Sequence, residues 1–194
     1  MLQQRQEALR EPRYQCAPVR VVEMPKPKGG TRPLGMATVK DRVVPTAMQR
    51  VLEPIVEAAV HDCSYGYRPK RDAKQAAMAM RNDLYHRAWG VVESDCQAYC
   101  TSIPHRKLLT LLTRRIADGS LLKLITQTRT VGAYVKGQVV PTKVGVPHGS
   151  PMSPLYSNID LNLVDQLWHS RGDPAKRGGP STATLMTVRQ AMCT

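Results

Sequence analysis

The sequence predicts an α+β fold in which short strands and longer amphipathic helices share a core. Three observations support this prediction. Residues 19–24 alternate in polarity and are rich in β-branched side chains, as half-buried strands are. Apolar residues recur at helical spacing across residues 38–60 and 72–86. Residues 89–95 form a short apolar run that ends in an acid, which indicates a strand.

The first sixty residues are predicted to form a short polar helix, a basic hairpin and a long helix. Pro12 and Pro18 end the polar helix. Residues 26–33 mix cations with glycine and proline, which is typical of a turn, so strand 19–24 is expected to pair with 34–36. Pro45 and Pro54 are expected at first turns or kinks of the long helix.

The next segment predicts a loop and a second helix. Residues 65–71 read Tyr-Gly-Tyr-Arg-Pro-Lys-Arg, a mixture of aromatic and basic side chains. Asp72 is a predicted N-cap, because its carboxylate can accept hydrogen bonds from the first free N–H groups of a helix. The inward face of this helix is predicted to consist of Ala76, Ala77, Met80 and Leu84.

The second half of the chain predicts further helices around one hairpin. Pro104 suits the first position of a helix that reaches residue 115, and residues 120–128 continue as a helix. Residues 131–140 alternate like a hairpin. A loop rich in glycine and proline, residues 145–154, precedes a helix over 155–168, and the composition beyond residue 170 is that of a flexible linker.

The charge balance indicates a polyanionic partner. The 194 residues contain 28 Lys and Arg against 15 Asp and Glu, a formal net charge of +13. Such a surface attracts nucleic acid or acidic lipid. Because the sequence shows neither a membrane-spanning apolar run nor a signal peptide, we expect no membrane partner and a cytoplasmic (bacterial) or organellar location. The five cysteines form no Cys-x-x-Cys pair, so a zinc ribbon is not suggested.

Several blocks, in order, resemble the reverse transcriptases and maturases encoded by group II introns. Residues 25–35 with 41–44 resemble the opening of that family's fingers, and Ser-Tyr-Gly-Tyr-Arg-Pro at 64–69 is similar to its Ser-Tyr-Gly-Phe-Arg-Pro block. Gly-Val-Pro-His-Gly-Ser at 145–150 resembles the family's Gly-x-Pro-Gln-Gly loop, and the helix that follows matches as well. The resemblance covers about residues 8–169.

The resemblance implies a right-hand polymerase with fingers and a partial palm. Residues 1–88 correspond to fingers, 89–170 to a partial palm with an antiparallel sheet backed by helices, and 171–194 to a divergent flexible tail, with no thumb. The implied activity is RNA-directed DNA polymerisation, a nucleotidyl transfer that two Mg²⁺ ions assist. The implied partners are intron or template RNA, a DNA primer and a deoxynucleoside triphosphate.

The metal-binding carboxylates of the family are only partly matched. Asp95 stands where the resemblance places the first metal ligand and catalytic carboxylate. The other two come from a Tyr-Ala-Asp-Asp turn, whereas this sequence has no Asp or Glu after Asp173. Because Mg²⁺ prefers oxygen ligands and needs its charge balanced, we expect a chain truncated before or at that motif to be catalytically impaired.

The resemblance also assigns binding roles. Residues expected at the nucleotide are Lys26, Arg32, Arg68, Tyr99 and His148. Residues expected at the nucleic acid are Tyr65, Tyr67, Lys70, Arg71 and Gly149. Cations suit phosphate oxygens and aromatic rings stack on bases. For Lys26, Arg32 and Arg68 a solvated surface charge is the alternative, for one of Tyr65 and Tyr67 core packing, and for His148 a structural loop position.

Two other functions remain open at this point. One is a non-catalytic RNA-binding or maturase-like module that uses the same surface. The other is a non-functional remnant whose uncovered apolar face would promote aggregation. The sequence does not specify the RNA or the oligomeric state.

Overall fold

The computed structural model describes residues 2–10, 14–25, 29–86, 96, 99–135, 137–141, 144–146 and 149–172. Its elements, in chain order, are α1 (Leu2–Arg10), β1 (Val19–Pro25), β2 (Thr31–Met36), α2 (Val39–Glu57), α3 (Ala73–His86), α4 (Tyr99–Ser102), α5 (His105–Thr113), α6 (Gly119–Arg129), β3 (Ala133–Val135), β4 (Gln138–Val140), α7 (Ser153–Leu167) and a π-helical turn (Trp168–Gly172). The mixture of helices and strands confirms the α+β prediction.

Both predicted hairpins are present and together form one four-stranded sheet in the order β2-β1-β3-β4. Strand β1 pairs antiparallel with β2, and Arg32 lies opposite Met24 in that pair. Strand β3 pairs antiparallel with β4 and parallel with β1, with Val19 opposite Ala133. The described sheet is therefore mixed, and the predicted strand 89–95 of an antiparallel palm sheet lies outside the described residues.

Local sequence signals explain where the helices begin. The Thr38 hydroxyl accepts a hydrogen bond from the Asp41 N–H at 3.1 Å and caps α2. Asp72 caps α3 as predicted, because its Oδ1 accepts from the Gln75 N–H at 2.7 Å. Helix α2 continues through both Pro45 and Pro54, which therefore lie in its interior and not at a first turn.

The hydrophobic core lies between α2, the α4–α5–α6 segment and α7. Its most deeply buried apolar members include Leu52, Cys100, Leu108, Leu112, Ile125 and Tyr156. The inward face predicted for α3 is largely wrong: Ala76 is buried, but Ala77 and Leu84 are exposed and Met80 is half-buried. The physical reason is that no residue of α3 belongs to the core cluster, so only the helix start is covered.

Candidate nucleic-acid interface

Arg68 anchors the loop that follows helix α2. Its side chain is 4% exposed, and Nη2 and Nε donate to the Glu57 carboxylate at 2.7 and 3.0 Å. Nη1 donates to the carbonyl oxygens of His61 and Ser64, both at 2.8 Å. These contacts use most of the guanidinium's N–H groups. Arg68 therefore points inward and holds the loop closed.

With Arg68 fixed in this way, the loop keeps two other side chains exposed and leaves Tyr65 and Arg71 half-buried. Tyr67 and Lys70 are exposed, and both have left-handed backbones, with φ of 56° and 62°. The Arg71 guanidinium lies 5.2 Å from the ring centre of Tyr65 and pairs with the exposed Asp62 carboxylate at 2.8 Å. Left-handed non-glycine residues each cost about 1 kcal/mol or more and cluster at functional sites. We call Tyr65, Tyr67, Lys70 and Arg71 the basic aromatic loop.

Helix α7 holds this loop from the other side through polar residues that the sequence reasoning missed. The Asn158 amide donates to the Gly66 carbonyl at 3.2 Å. The Asn162 amide donates to the Ala59 carbonyl and its oxygen accepts from the His61 N–H, both at 2.9 Å. The signal that could have revealed them is the i, i+4 spacing of two asparagines on a helix whose faces are almost all buried.

The short helix α4 is hydrogen-bonded to the start of the 145–150 loop, which resembles the family's Gly-x-Pro-Gln-Gly loop. The Gly145 N–H donates to the Ile103 carbonyl at 3.0 Å, and the Val146 N–H to the Cys100 carbonyl at 2.7 Å. Gly145 has φ +83°, and a Cβ there would collide with the backbone of Thr101. A glycine is therefore required where this loop meets α4.

Tyr99 points away from the surface and into the protein. The residue is 8% exposed, and its hydroxyl donates to Asp160 Oδ2 at 2.8 Å. The Lys107 ammonium pairs with Asp160 Oδ1 at 3.0 Å, so this buried carboxylate is neutralised. The geometry favours a packing role for Tyr99 over an open ring beside a nucleotide sugar. The predicted nucleotide contact stays a prediction.

Gly149 brings the far end of the same loop against the basic hairpin. Its φ is +86°, and a Cβ at this position would stand 3.1 Å from the Gly35 carbonyl oxygen and 3.2 Å from the Leu34 side chain. The close approach leaves a narrow cleft, with Asp41 and Ser150 among its lining residues. The cleft has a volume of about 40 Å³, far below the few hundred Å³ of a ligand pocket, so a nucleotide would have to widen it.

A buried polar cluster supports the wall of this cleft. Asp41 accepts hydrogen bonds from the Tyr14 hydroxyl at 3.2 Å and from the Thr38 hydroxyl at 2.6 Å. Burial, with added effects of Cys16 and Asp41, raises the pKa of the Tyr14 phenol far above its usual value. Tyr14 therefore stays a hydrogen-bond donor at neutral pH and fixes the segment before β1 on helix α2.

The other predicted site residues lie in or beside the hairpin, the 145–150 loop and the segment before α4. Asp95, Lys26 and His148 lie outside the described residues, and for Arg32 only the backbone in strand β2 is described. The structure brings together Tyr65, Tyr67, Lys70 and Arg71, and it places Gly149 against the hairpin. It turns Arg68 inward, which favours a structural role over the predicted triphosphate contact.

The described residues do not assemble a magnesium site. Across the described ranges, the one group of three or more His, Cys, Asp or Glu side chains that could hold an ion is His61, Cys63 and His169. Nitrogen and sulfur donors do not suit Mg²⁺, which prefers oxygen ligands. The part of the chain that the structure describes therefore supports no step of a reaction through Mg²⁺.

Comparison with known proteins identifies the class. Residues 24–178 match the family model described as reverse transcriptase (RNA-dependent DNA polymerase). The chain is 38% identical over 162 residues to Protein YkfC of Escherichia coli, and 30% identical over 161 residues to the group II intron-encoded protein LtrA of Lactococcus lactis. These matches cover 81% and 82% of this chain but 42% and 27% of the relatives, so the chain spans less than half of their length.

A solved structure agrees with the sequence matches. A chain of a partial Cas6-RT-Cas1–Cas2 complex has a TM-score of 0.57 and 25% identity, with 87% of this chain and 30% of that chain covered. The protein belongs to the reverse transcriptase family, in the group II intron-encoded reverse transcriptase and maturase branch. This confirms the resemblance, and members of the family generally use a divalent metal. None of the described helices is long and apolar enough to span a membrane.

Proposed function

We propose that this chain forms the fingers (residues 1–88) and part of the palm (89–170) of a group II intron-type RNA-directed DNA polymerase, with residues 171–194 as a divergent tail. We further propose that these 194 residues bind RNA by themselves but do not polymerise DNA. The family match supports the first part. The observation that carries RNA binding is the basic aromatic loop, which Arg68 fastens from inside while Tyr67 and Lys70 are exposed.

The arrangement suits single-stranded RNA. Exposed rings such as Tyr67 can stack on bases, and Lys70 can contact phosphates without sequence preference. The loop is held in place by the contact of Arg68 with Glu57 and by the contact of helix α7 with Gly66. Because the loop is already ordered, it loses little conformational entropy when RNA binds. The net charge of +13 adds a long-range attraction for the same ligand.

The proposed lack of polymerase activity rests on the small number of carboxylates that could bind Mg²⁺. Asp95 is the proposed first metal ligand, and no Asp or Glu follows Asp173 in these 194 residues. Two Mg²⁺ ions roughly 4 Å apart repel each other strongly unless several carboxylates compensate their charge. One Asp cannot do this, so the Mg²⁺ cofactor, dNTP and primer are proposed for the family reaction and not for this chain alone.

RNA binding is tested by a salt titration. The affinity of a labelled single-stranded RNA is measured by fluorescence anisotropy for the parent chain and for Lys70→Ala/Arg71→Ala. We expect a shallower salt dependence in the variant, by up to about 1.4 in the slope of log K against log[salt], since each lost phosphate contact removes about 0.7. Arg114→Ala/Arg115→Ala, at two exposed cations after α5, removes the same charge and serves as the control.

Equal slopes and affinities for the two double variants would show that only net charge matters and would refute a role for the loop. A primer-extension assay with Mg²⁺ on an RNA template tests the second half of the proposal. We expect no incorporation above background. Incorporation that disappears in Asp95→Ala would show that the chain is an active polymerase. If the parent chain binds no RNA in the titration, a non-functional remnant becomes the better account.

A further inference from the structure

A cluster of nitrogen and sulfur side chains lies where the loop after α2 meets the end of α7, directly before the block at residues 64–69. It consists of His61, Cys63 and His169. One ligand atom from each residue lies within 4.8 Å of the other two, and all three residues are half-buried. His61 Nδ1 is 3.2 Å from Cys63 Sγ. The imidazole rings of His61 and His169 stack at a centroid distance of 4.0 Å and an angle of 14°.

We propose that His61, Cys63 and His169 bind one transition-metal ion of the zinc class. Imidazole nitrogen and thiolate sulfur are the donors that Zn²⁺ prefers, and both are poor ligands for Mg²⁺. Three protein ligands leave the fourth tetrahedral position to a water molecule. The site does not depend on the proposed polymerase or RNA-binding function, because it uses none of the residues assigned to either.

The distances fit such an ion after a small adjustment. Zn–N bonds near 2.0 Å and a Zn–S bond near 2.3 Å in tetrahedral geometry place ligand atoms roughly 3.5 Å apart. The His61–Cys63 separation of 3.2 Å is close to that value, and no separation in the cluster, each within 4.8 Å, needs to shorten by more than about 1.3 Å. The stacked rings must also turn so that both nitrogen lone pairs converge, and the terminal torsion of histidine is soft.

Hydrogen bonds already hold the loop that carries His61 and Cys63 against helix α7, close to His169. The Asn162 side chain bonds both the His61 N–H and the Ala59 carbonyl, which fixes the loop on helix α7. His169 follows Asn162 by seven residues, two helical turns along the same face. It lies in the π-helical turn Trp168–Gly172, and such turns re-aim side chains and are frequent at functional sites. An ion here would fasten the loop that leads into the basic aromatic loop to the end of α7.

The test uses the untagged, metal-free chain with Co²⁺ as a spectroscopic probe and Zn²⁺ as competitor. We expect one Co²⁺ per chain, with the visible bands of a tetrahedral site and a thiolate-to-cobalt charge-transfer band, and displacement by Zn²⁺ but not by millimolar Mg²⁺. Cys63→Ser should remove the charge-transfer band and weaken Zn²⁺ binding at least about tenfold. Zn²⁺ should also raise the thermal unfolding midpoint of the parent chain, because it binds the folded state.

His169→Gln supplies a second variant in case Cys63→Ser does not fold, as judged by circular dichroism. It should weaken Zn²⁺ binding by a similar factor. Cys96→Ser is the matched control, since Cys96 is an exposed free cysteine outside the cluster, and it should leave affinity and spectrum unchanged. The proposal is overturned if the parent chain takes up no Co²⁺ or Zn²⁺, if His169→Gln keeps full affinity, or if Cys96→Ser loses the band.

Discussion

Tyr99 and Asp160 are joined by a hydrogen bond of 2.8 Å between the phenol hydroxyl and Oδ2, although 61 residues separate them in the sequence. This contact ties the short helix α4, which follows the proposed metal-binding Asp95, to the middle of α7. Lys107 completes the arrangement from α5. Helices α4, α5 and α7 are therefore joined through one buried carboxylate that has two donors.

Replacement of Tyr99 by Phe is expected to lower the free energy of unfolding by about 1–3 kcal/mol, because it removes a donor from a buried carboxylate. Urea unfolding measures the change. In an Asp160→Ala background the same replacement should cost less than about 0.5 kcal/mol, since its partner is gone. Tyr85→Phe, at a residue 76% exposed, is the control and should change little. Equal losses at positions 85 and 99 would contradict the assignment.

Arg68→Lys is expected to destabilise the fold by about 2–4 kcal/mol. Lysine has a single ammonium group and cannot reproduce the two-pronged contact with Glu57 together with both carbonyl contacts. Arg71→Lys in the same loop is the matched control, because its pair with the exposed Asp62 is worth at most about 1 kcal/mol. Chemical denaturation compares the two. A stable Arg68→Lys chain that had lost nucleotide binding would restore the predicted triphosphate role.

Three glycines with φ between +83° and +89° allow the cost of backbone strain to be separated from the cost of crowding. Gly137→Ala adds strain alone, since a Cβ there meets nothing within 4 Å, and should cost about 1–2 kcal/mol. Gly149→Ala adds a tight contact with Gly35 and should cost more. Gly145→Ala drives a methyl group into the backbone of Thr101 and should cost more than about 3 kcal/mol. Thermal and urea unfolding should give this order, and a Gly145→Ala chain as stable as Gly137→Ala would refute the packing of this loop on α4.

The stability of the chain is expected to fall above about pH 10 in part through Tyr156. Burial raises the pKa of this phenol well above its usual value. The folded chain therefore keeps a proton that the unfolded chain loses, and the free energy of unfolding falls by up to about 1.4 kcal/mol per pH unit, with no contribution below the unfolded pKa. Urea unfolding between pH 9 and 11 should show a shallower decline in Tyr156→Phe than in the parent. An identical decline in both would rule out this linkage, and Tyr85→Phe should leave the decline as it is.

Local features of the fold could be predicted from the sequence because their causes are local. The Asp72 cap depends on residues within one turn, and both hairpins follow from short alternating strands beside glycine-rich turns. The parallel pairing of β1 with β3 had no such signal, because it joins segments more than a hundred residues apart. The inward face of α3 was predicted from spacing alone, and spacing does not reveal whether another element covers it.

Some features of the candidate site could also be predicted from the sequence, and others could not. The sequence by itself determined the family, the net charge and the identity of the loop residues from 64 to 71, since ordered blocks and composition need no coordinates. Only the tertiary structure decided that Arg68 points inward to Glu57 while Tyr67 and Lys70 point outward. The physical reason is that a buried charge must find partners, and those of Arg68 come from the end of α2 and the carbonyls of its own loop, which no pattern of residue types records.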